Sequence, residues 1–170
     1  MRKSKQAVYA LAISGLAAAA CLVLITILAN RDTSGVTHTS GPGTLMSDRG
    51  AAHTKSAPAS PPDDPPTSGP HKPEPIARDR TALSDDQLLE ALHQGNVVLT
   101  YATATPPAEL ARLQQDAFDP ALAAAGQAVI LDHRPGSKGI IALAWRRELR
   151  TSDPQQLSAF VDAWLGQGAR

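Results

Sequence analysis

The pattern of hydrophobic positions divides the chain into three stretches of different character. Residues 7–29 are uncharged and mostly apolar, residues 30–64 carry almost no aliphatic side chains, and the remainder alternates apolar runs with turn residues. A helix over 7–29 would be roughly 34 Å long at about 1.5 Å per residue, enough to cross a hydrocarbon core of about 30 Å. The first stretch is therefore predicted to be a transmembrane helix that holds the protein in a lipid bilayer.

The charges that flank this apolar run predict its orientation. Arg2, Lys3 and Lys5 precede the run, whereas Arg31 after it is followed directly by Asp32. Because positive charge is enriched on the cytoplasmic side of membrane spans, residues 1–6 are predicted to be cytoplasmic and everything after residue 30 to lie outside.

A cleaved signal peptide is the alternative interpretation of the N-terminus. Such peptides have an apolar region of roughly 7–15 residues and end in a small-x-small cleavage site. The run here is longer, and its end, Ile27-Leu28-Ala29, fits that site poorly, so an uncleaved anchor is favoured. Cys21 invites a lipoprotein interpretation, but the apolar run continues past it, and a small membrane-embedded residue is the simpler interpretation.

Residues 30–64 are predicted to be a disordered linker. They are rich in Ser, Thr, Gly and Pro, and the prolines become frequent from Pro58 onward. A segment of this composition cannot bury enough apolar surface to offset the entropy of ordering it, so it stays extended. His38 and His53 lie within it and are assigned no ligand role.

The last part of the chain has the periodicities of a small folded domain. Ser84 and Gln87 form a capping box that opens a helix, which Gly95 stops. The predicted order is helix, strand, helix, strand, strand, helix. The helices are predicted at 85–93, 106–118 and 154–165, with a short helical turn from 119 to 125 after the second. The strands are predicted at 96–101, 128–131 and 140–145. This order predicts an α+β fold, a small sheet of about three strands with helices packed mainly on one face. The last two strands could form a hairpin.

Composition narrows the possible functions. Sixteen basic and sixteen acidic residues give no net charge, which argues against nucleic-acid binding. One cysteine excludes an internal disulfide and a cysteine-based zinc site. Neither a phosphate-binding glycine loop nor a nucleophile elbow around Ser68 is present, so no catalytic residue is assigned. Arg146, Arg147 and Arg150 form a basic run near the last predicted strand. Their charges are interpreted as a feature that keeps an exposed edge strand from aggregating with other chains. The alternative is that they bind an acidic partner or lipid headgroups.

The best candidate for chemistry is a set of imidazoles and one carboxylate. Glu90 and His93 are three residues apart, so on a helix they project from the same face. His71 at the start of the domain could join them, and His133 is a further candidate. Two imidazoles and a carboxylate suit Zn²⁺ or Cu²⁺. The alternative is that Glu90 and His93 form a solvated helix face and that the other two histidines are turn residues.

One segment and several later motifs resemble a known family. The sequence Pro-Pro-Thr-Ser-Gly-Pro-His at 65–71 resembles the opening signature of the DUF3105 family of membrane-anchored bacterial domains. Shorter motifs follow in the family's order at Pro106-Pro107, Pro135-Gly136, Ala144-Trp145 and 160–163. The resemblance implies a domain over 65–170, outside the bacterial cytoplasmic membrane. It implies no activity, because none is established for the family.

The chain departs from the family pattern at one place. Relatives have a His-x-Leu-Glu-His-Gly stretch where this chain has residues 90–95, Glu-Ala-Leu-His-Gln-Gly, so only Leu92 and Gly95 match. If the family histidines bind a metal, the resemblance implies that this chain has lost or rearranged the site.

Three functions remain open from the sequence. The preferred one is a non-enzymatic, membrane-anchored accessory or interaction domain that associates with another membrane or envelope protein. The alternative is a metal-handling envelope domain that uses His71, Glu90 and His93 to bind Cu or Zn. A hydrolase ranks third, since no catalytic constellation supports it.

Overall fold

The computed structural model of the protein describes residues 40–76 and 81–169. The predicted transmembrane helix at 7–29 lies outside these ranges. Within them, no helix has the length and apolarity needed to cross a membrane.

Nine elements make up the described domain, and they confirm the α+β class. In chain order they are β1 (Thr44–Leu45), α1 (Asp85–His93), β2 (Val97–Tyr101), α2 (Ala108–Asp116), α3 (Pro120–Ala124), β3 (Val129–His133), β4 (Ile141–Ala144), β5 (Arg147–Arg150) and α4 (Pro154–Trp164).

The strands form one mixed sheet in the order β1-β5-β4-β2-β3. The sheet thus has five strands where about three were predicted. The hairpin considered between β3 and β4 does not form, because β3 pairs in parallel with β2, and β4 pairs antiparallel with β2 and β5. Parallel neighbours need a connection of a dozen or more residues, which the segment containing α2 and α3 supplies. The actual hairpin is β4–β5, which reverses at Trp145-Arg146, where Arg146 has a φ of 58°.

The sheet has an apolar core on each face. On one face, α2 and α4 pack with Leu110 and Phe160 against the side chains of Val97 and Leu99. On the other, α1 packs against the alternate positions of the same strands, Val98 among them. Two of these three helices thus share one face, and α1 alone covers the other. Since every position of β2 is buried, both of its faces had to be covered by helices.

Helix α1 positions the residues that matter most for the site, and its ends are as predicted. The Ser84 side chain accepts a hydrogen bond from the Gln87 amide, and the Gln87 side chain accepts one from the Ser84 amide. The helix ends before Gly95, whose φ is 90°. A Cβ at this position would lie 3.0 Å from the carbonyl carbon of Gly166, so both the conformation and the close approach of the C-terminal segment require glycine.

Residues 40–64, here named the strap, are ordered against the domain, in contrast to the predicted linker. Strand β1 pairs with β5, and the Trp164 indole N–H donates to the Pro42 carbonyl, 2.9 Å away. The Ala57 amide donates to Asp86 Oδ1 at 2.7 Å. The strap buries little apolar surface, as its composition predicts, and its backbone is held by hydrogen bonds that composition does not reveal. The segment 65–71 that follows belongs to the domain, with Ser68 and His71 buried.

The basic run at β5 does not protect an edge strand from aggregation, contrary to the prediction, because β5 lies inside the sheet between β4 and β1. The Arg147 guanidinium stacks over the Trp164 ring at 4.5 Å from its centroid. Arg146 pairs with Asp48 of the strap at 3.2 Å, and Arg150 pairs with Glu148 at 2.6 Å. These side chains are used within the domain.

Candidate metal centre

Four side chains from three segments converge next to α1: His53 from the strap, His71 from the end of 65–71, and Glu90 and His93 from α1. Glu90 Oε2 lies 3.3 Å from His53 Nε2 and 3.2 Å from His71 Nε2. One nitrogen from each of the three histidines lies within 4.8 Å of the other two. We name this set the histidine cluster.

His71 is the most tightly held member of the cluster. Its side chain is fully buried, and its Nδ1 lies 2.8 Å from the Gly69 carbonyl oxygen. A carbonyl only accepts, so Nδ1 carries the hydrogen, and the lone pair of a neutral ring is on Nε2. That lone pair would face the Glu90 carboxylate oxygen at 3.2 Å, which is repulsive. Either a second proton or a metal cation between Nε2 and Oε2 makes the arrangement favourable.

Glu90 is oriented by its own helix. Its Oε1 accepts a hydrogen bond of 2.6 Å from the Gln94 side-chain amide, one turn further along. This bond directs Oε2 toward His53 and His71. A supporting bond of this kind is what fixes the geometry of a metal-binding carboxylate.

His93 presents an unused nitrogen to the same space. Its Nδ1 is buried and has no hydrogen-bond partner. Burial lowers the pKa of His93, and the nearby His53 and His71 lower it further, so the ring is neutral at pH 7 and its lone pair is available. The ring centroid lies 5.4 Å from that of Trp145, which belongs to the β4–β5 turn and lies beside His71 as well, 6.4 Å away.

The three imidazoles are packed against one another. Their ring centroids are 4.7 Å apart for His53 and His71, 4.8 Å for His53 and His93, and 5.5 Å for His71 and His93. Three imidazoles are not gathered for apolar packing, because each brings nitrogens that need partners. A shared cation satisfies several of them at once.

The two contacts of Glu90 Oε2 can be compared with the ligand spacings that different metals require. Two ligands on a tetrahedral Zn²⁺ with bonds of about 2.0–2.1 Å are about 3.3–3.4 Å apart. Adjacent ligands on a square-planar Cu²⁺ with similar bonds are about 2.8 Å apart. The two distances from Glu90 Oε2, 3.2 and 3.3 Å, are close to the edge of a tetrahedron, whereas the imidazole nitrogens, within 4.8 Å of one another, would have to move closer together around an ion.

The structure brings together the three site residues expected from the sequence, His71, Glu90 and His93. It does not include His133, which lies at the end of β3 and stacks on Tyr101 with the centroids 5.4 Å apart. Sequence reasoning missed His53, because a lone histidine in a proline-rich segment has no periodicity that places it. In the two described ranges, the three histidines of the cluster are the one group of three or more ligating residues close enough to share an ion, and Glu90 joins them through its contacts with His53 and His71.

A separate ionic network holds the other end of α1. The Arg134 guanidinium lies 3.2 Å from Asp85 and 3.1 Å from Asp132. Burial raises the pKa of Asp132, although the Leu83 amide and Arg134 both favour its charged form. Asp85 Oδ2 also accepts from the Ser60 amide at 2.6 Å, so this network ties the strap to α1.

Fold and site together define a small α+β domain with a histidine–carboxylate cluster between a helix and a proline-rich strap. The chain belongs to the DUF3105 family, a family of unknown function, whose sequence profile matches residues 53–169. The matched range includes all four residues of the cluster. No curated protein and no solved structure matches the chain.

Proposed function

We propose that this domain binds one divalent transition-metal ion, with a geometry suited to Zn²⁺, through His53, His71, His93 and Glu90. The observation that carries the proposal is the position of Glu90 Oε2, within 3.3 Å of two imidazole nitrogens. One of these, His71 Nε2, has no hydrogen to donate when the ring is neutral, because Nδ1 is already committed to Gly69.

Charge favours a metal over a second proton at this place. A proton alone would make His71 an imidazolium in a fully buried position, with the second histidine and a neutral His93 beside it. Burying an ion pair costs free energy unless its geometry is very good. A divalent cation instead bonds to all three imidazoles and to the carboxylate. It also uses the unpartnered Nδ1 of His93, which a proton on His71 leaves unsatisfied.

The predicted anchor gives this activity a location. With residues 7–29 in the bacterial cytoplasmic membrane and the N-terminus inside, the cluster would be on the outer side of the membrane, in a metal-handling envelope domain. We also propose that the domain associates with another membrane or envelope protein. The pattern of apolar and charged residues at the N-terminus supports the location. The small residues Ser14, Gly15 and 17–20, which would let a second helix approach closely, support the association.

Metal analysis of the full-length chain tests the proposal. The chain is purified in mild detergent, stripped of metal, incubated with Zn²⁺ and desalted, and the bound zinc is measured by mass spectrometry. We expect one zinc per chain in the wild type and in His133→Ala, which changes a histidine outside the cluster. His93→Ala and His71→Ala are expected to lose it. A wild type without stoichiometric zinc, or full retention in both cluster variants, would overturn the proposal.

A further inference from the structure

The four members of the cluster are held with very different firmness. His71 is fully buried, its ring is fixed by Gly69, and its backbone amide donates to the Ala52 carbonyl at 3.1 Å. Glu90 and His93 are part of α1, whose other face is packed against the sheet. These three side chains are therefore part of the rigid domain.

His53 is different, because it lies in an exposed turn of the strap. Its side chain is 40% exposed, against 9% for Glu90 and none for His71. Residues 51–56 are all exposed. The bonds that hold the strap flank this turn: the Ala52 carbonyl accepts from His71, and the Ala57 amide donates to Asp86. The imidazole of His53 can thus swing out of the cluster without disturbing either attachment or any apolar core.

From these contacts we infer that His53 is the exchangeable ligand of the site. An acceptor with nitrogen or sulfur donors takes the place of His53 on the metal ion and then removes the ion from the site. The inference rests on the proposed function. It makes the domain a metal carrier, in which three ligands retain the ion and the fourth yields its place to the acceptor.

The exchange needs no redox partner. Zinc sites can expand to five ligands in passing. The acceptor's donor atom forms a bond to the ion, and the bond to the His53 nitrogen breaks with its electron pair remaining on the nitrogen. An acceptor thiol loses its proton to solvent as it binds, and the released imidazole stays neutral or takes a proton from solvent. The oxidation state of the metal does not change.

Transfer kinetics test this inference on the full-length chain. Zinc-loaded protein is mixed with excess 4-(2-pyridylazo)resorcinol, a chelator with nitrogen and oxygen donors, and the coloured zinc complex is followed by stopped flow. For the wild type we expect a transfer rate that rises in proportion to chelator concentration, since the incoming ligand takes part in the step. His53→Ala is expected to retain one zinc before mixing and to transfer it at least tenfold faster, because water holds the fourth position. His133→Ala is the matched control and should behave as the wild type.

The results separate this inference from the proposed function. If the wild type binds zinc but its rate is independent of chelator concentration and unchanged in His53→Ala, the inference is wrong and the metal site stands. The inference is equally wrong if His53→Ala loses its zinc on desalting as completely as His71→Ala. If the wild type binds no zinc at all, the proposed function has failed and this inference fails with it. His53→Gln, which keeps a polar side chain in the turn, guards against a folding defect in the alanine variant.

Discussion

Zinc should raise the melting temperature of the protein, and the size of this increase follows from the binding equilibrium. A ligand present at one hundred times its dissociation constant stabilises the folded state by about 2.7 kcal/mol. For a domain of this length, each kcal/mol raises the melting temperature by roughly 3–5 °C. Zinc at that concentration should therefore raise it by about 8–14 °C, somewhat less if histidines of the unfolded chain also bind the ion.

Glu90→Gln is the perturbation that tests the geometry. The substitution keeps the size of the side chain and removes the negative charge at Oε2, which contacts both His53 and His71. Loss of even a supporting group at a metal site commonly costs 10- to 100-fold in affinity. At the same zinc concentration, the stabilisation then falls to about 0.4–1.4 kcal/mol. This corresponds to a shift of about 1–7 °C.

Differential scanning calorimetry of the full-length chain, with and without zinc, measures both shifts. His133→Gln is the control, because it removes an imidazole that the cluster does not include. Its zinc-dependent shift should equal that of the wild type. The reasoning is refuted if zinc raises the melting temperature of Glu90→Gln as much as that of the wild type, or if the control loses its shift.

Three shorter predictions concern other measurements. In a Trp164→Phe variant, whose remaining tryptophan is Trp145, Cu²⁺ should quench the fluorescence, because the Trp145 ring lies 5.4 Å from that of His93. A Trp145→Phe variant should show little quenching. Equal quenching in the two variants would contradict the placement of the site. The pKa of His93 in the folded state is lowered from 6.5, so the unfolded chain binds a proton at this residue more readily than the folded one. The melting temperature of the metal-free protein should therefore fall as the pH drops below about 6.5, and that of His93→Gln should fall less. An identical decline in the two proteins would show that His93 is not responsible. Gly95→Ala should lower the free energy of unfolding, measured in urea, by about 1–2 kcal/mol because of its left-handed backbone, and by a further amount because the new Cβ contacts the C-terminal segment. Gly139→Ala, at a similar φ of 78° but with open space around it, should show only the smaller loss. Equal losses in the two variants would exclude the contact.

Local signals in the sequence were sufficient for the helices. The capping box at Ser84, the glycine stop at Gly95 and the Asp153-Pro154 start each act within one turn of chain, so a single sequence reveals them. The run 97–101, which has no polar face, also favours a strand inside the sheet over one at its edge, and β2 lies between β4 and β3.

Strand pairing was less accessible for a physical reason. The reversal between β4 and β5 occurs at Trp145-Arg146, which contains none of the residues that favour tight turns. Arg146 adopts a φ of 58° there because the structure around it compensates: its amide donates to the Thr67 carbonyl, and its carbonyl accepts from Met46. Both partners lie far away in sequence, so the local pattern does not reveal that the chain turns back into a further strand.

The strap shows the same limit, with a larger effect on the site. Its order depends on hydrogen bonds from backbone amides to Asp85 and Asp86, which composition cannot indicate. Without that order His53 is an isolated histidine. Three of the four cluster residues could be predicted because two share a helix face and the third ends a recognisable motif.

The departure from the family pattern at 90–95 yields a last prediction. In the resembling stretch, the family has His at the position of Glu90 and Glu at the position of His93. This chain has the two residue types in exchanged order, and both positions contribute to the cluster. Positions three apart on a helix lie on one face, so either order offers one imidazole and one carboxylate to the same ion. The double variant Glu90→His with His93→Glu should therefore keep one zinc per chain, with an affinity within about tenfold of the wild type. Loss of zinc as complete as in His93→Ala would show that Glu90 Oε2 must contact His53 and His71 from its present position.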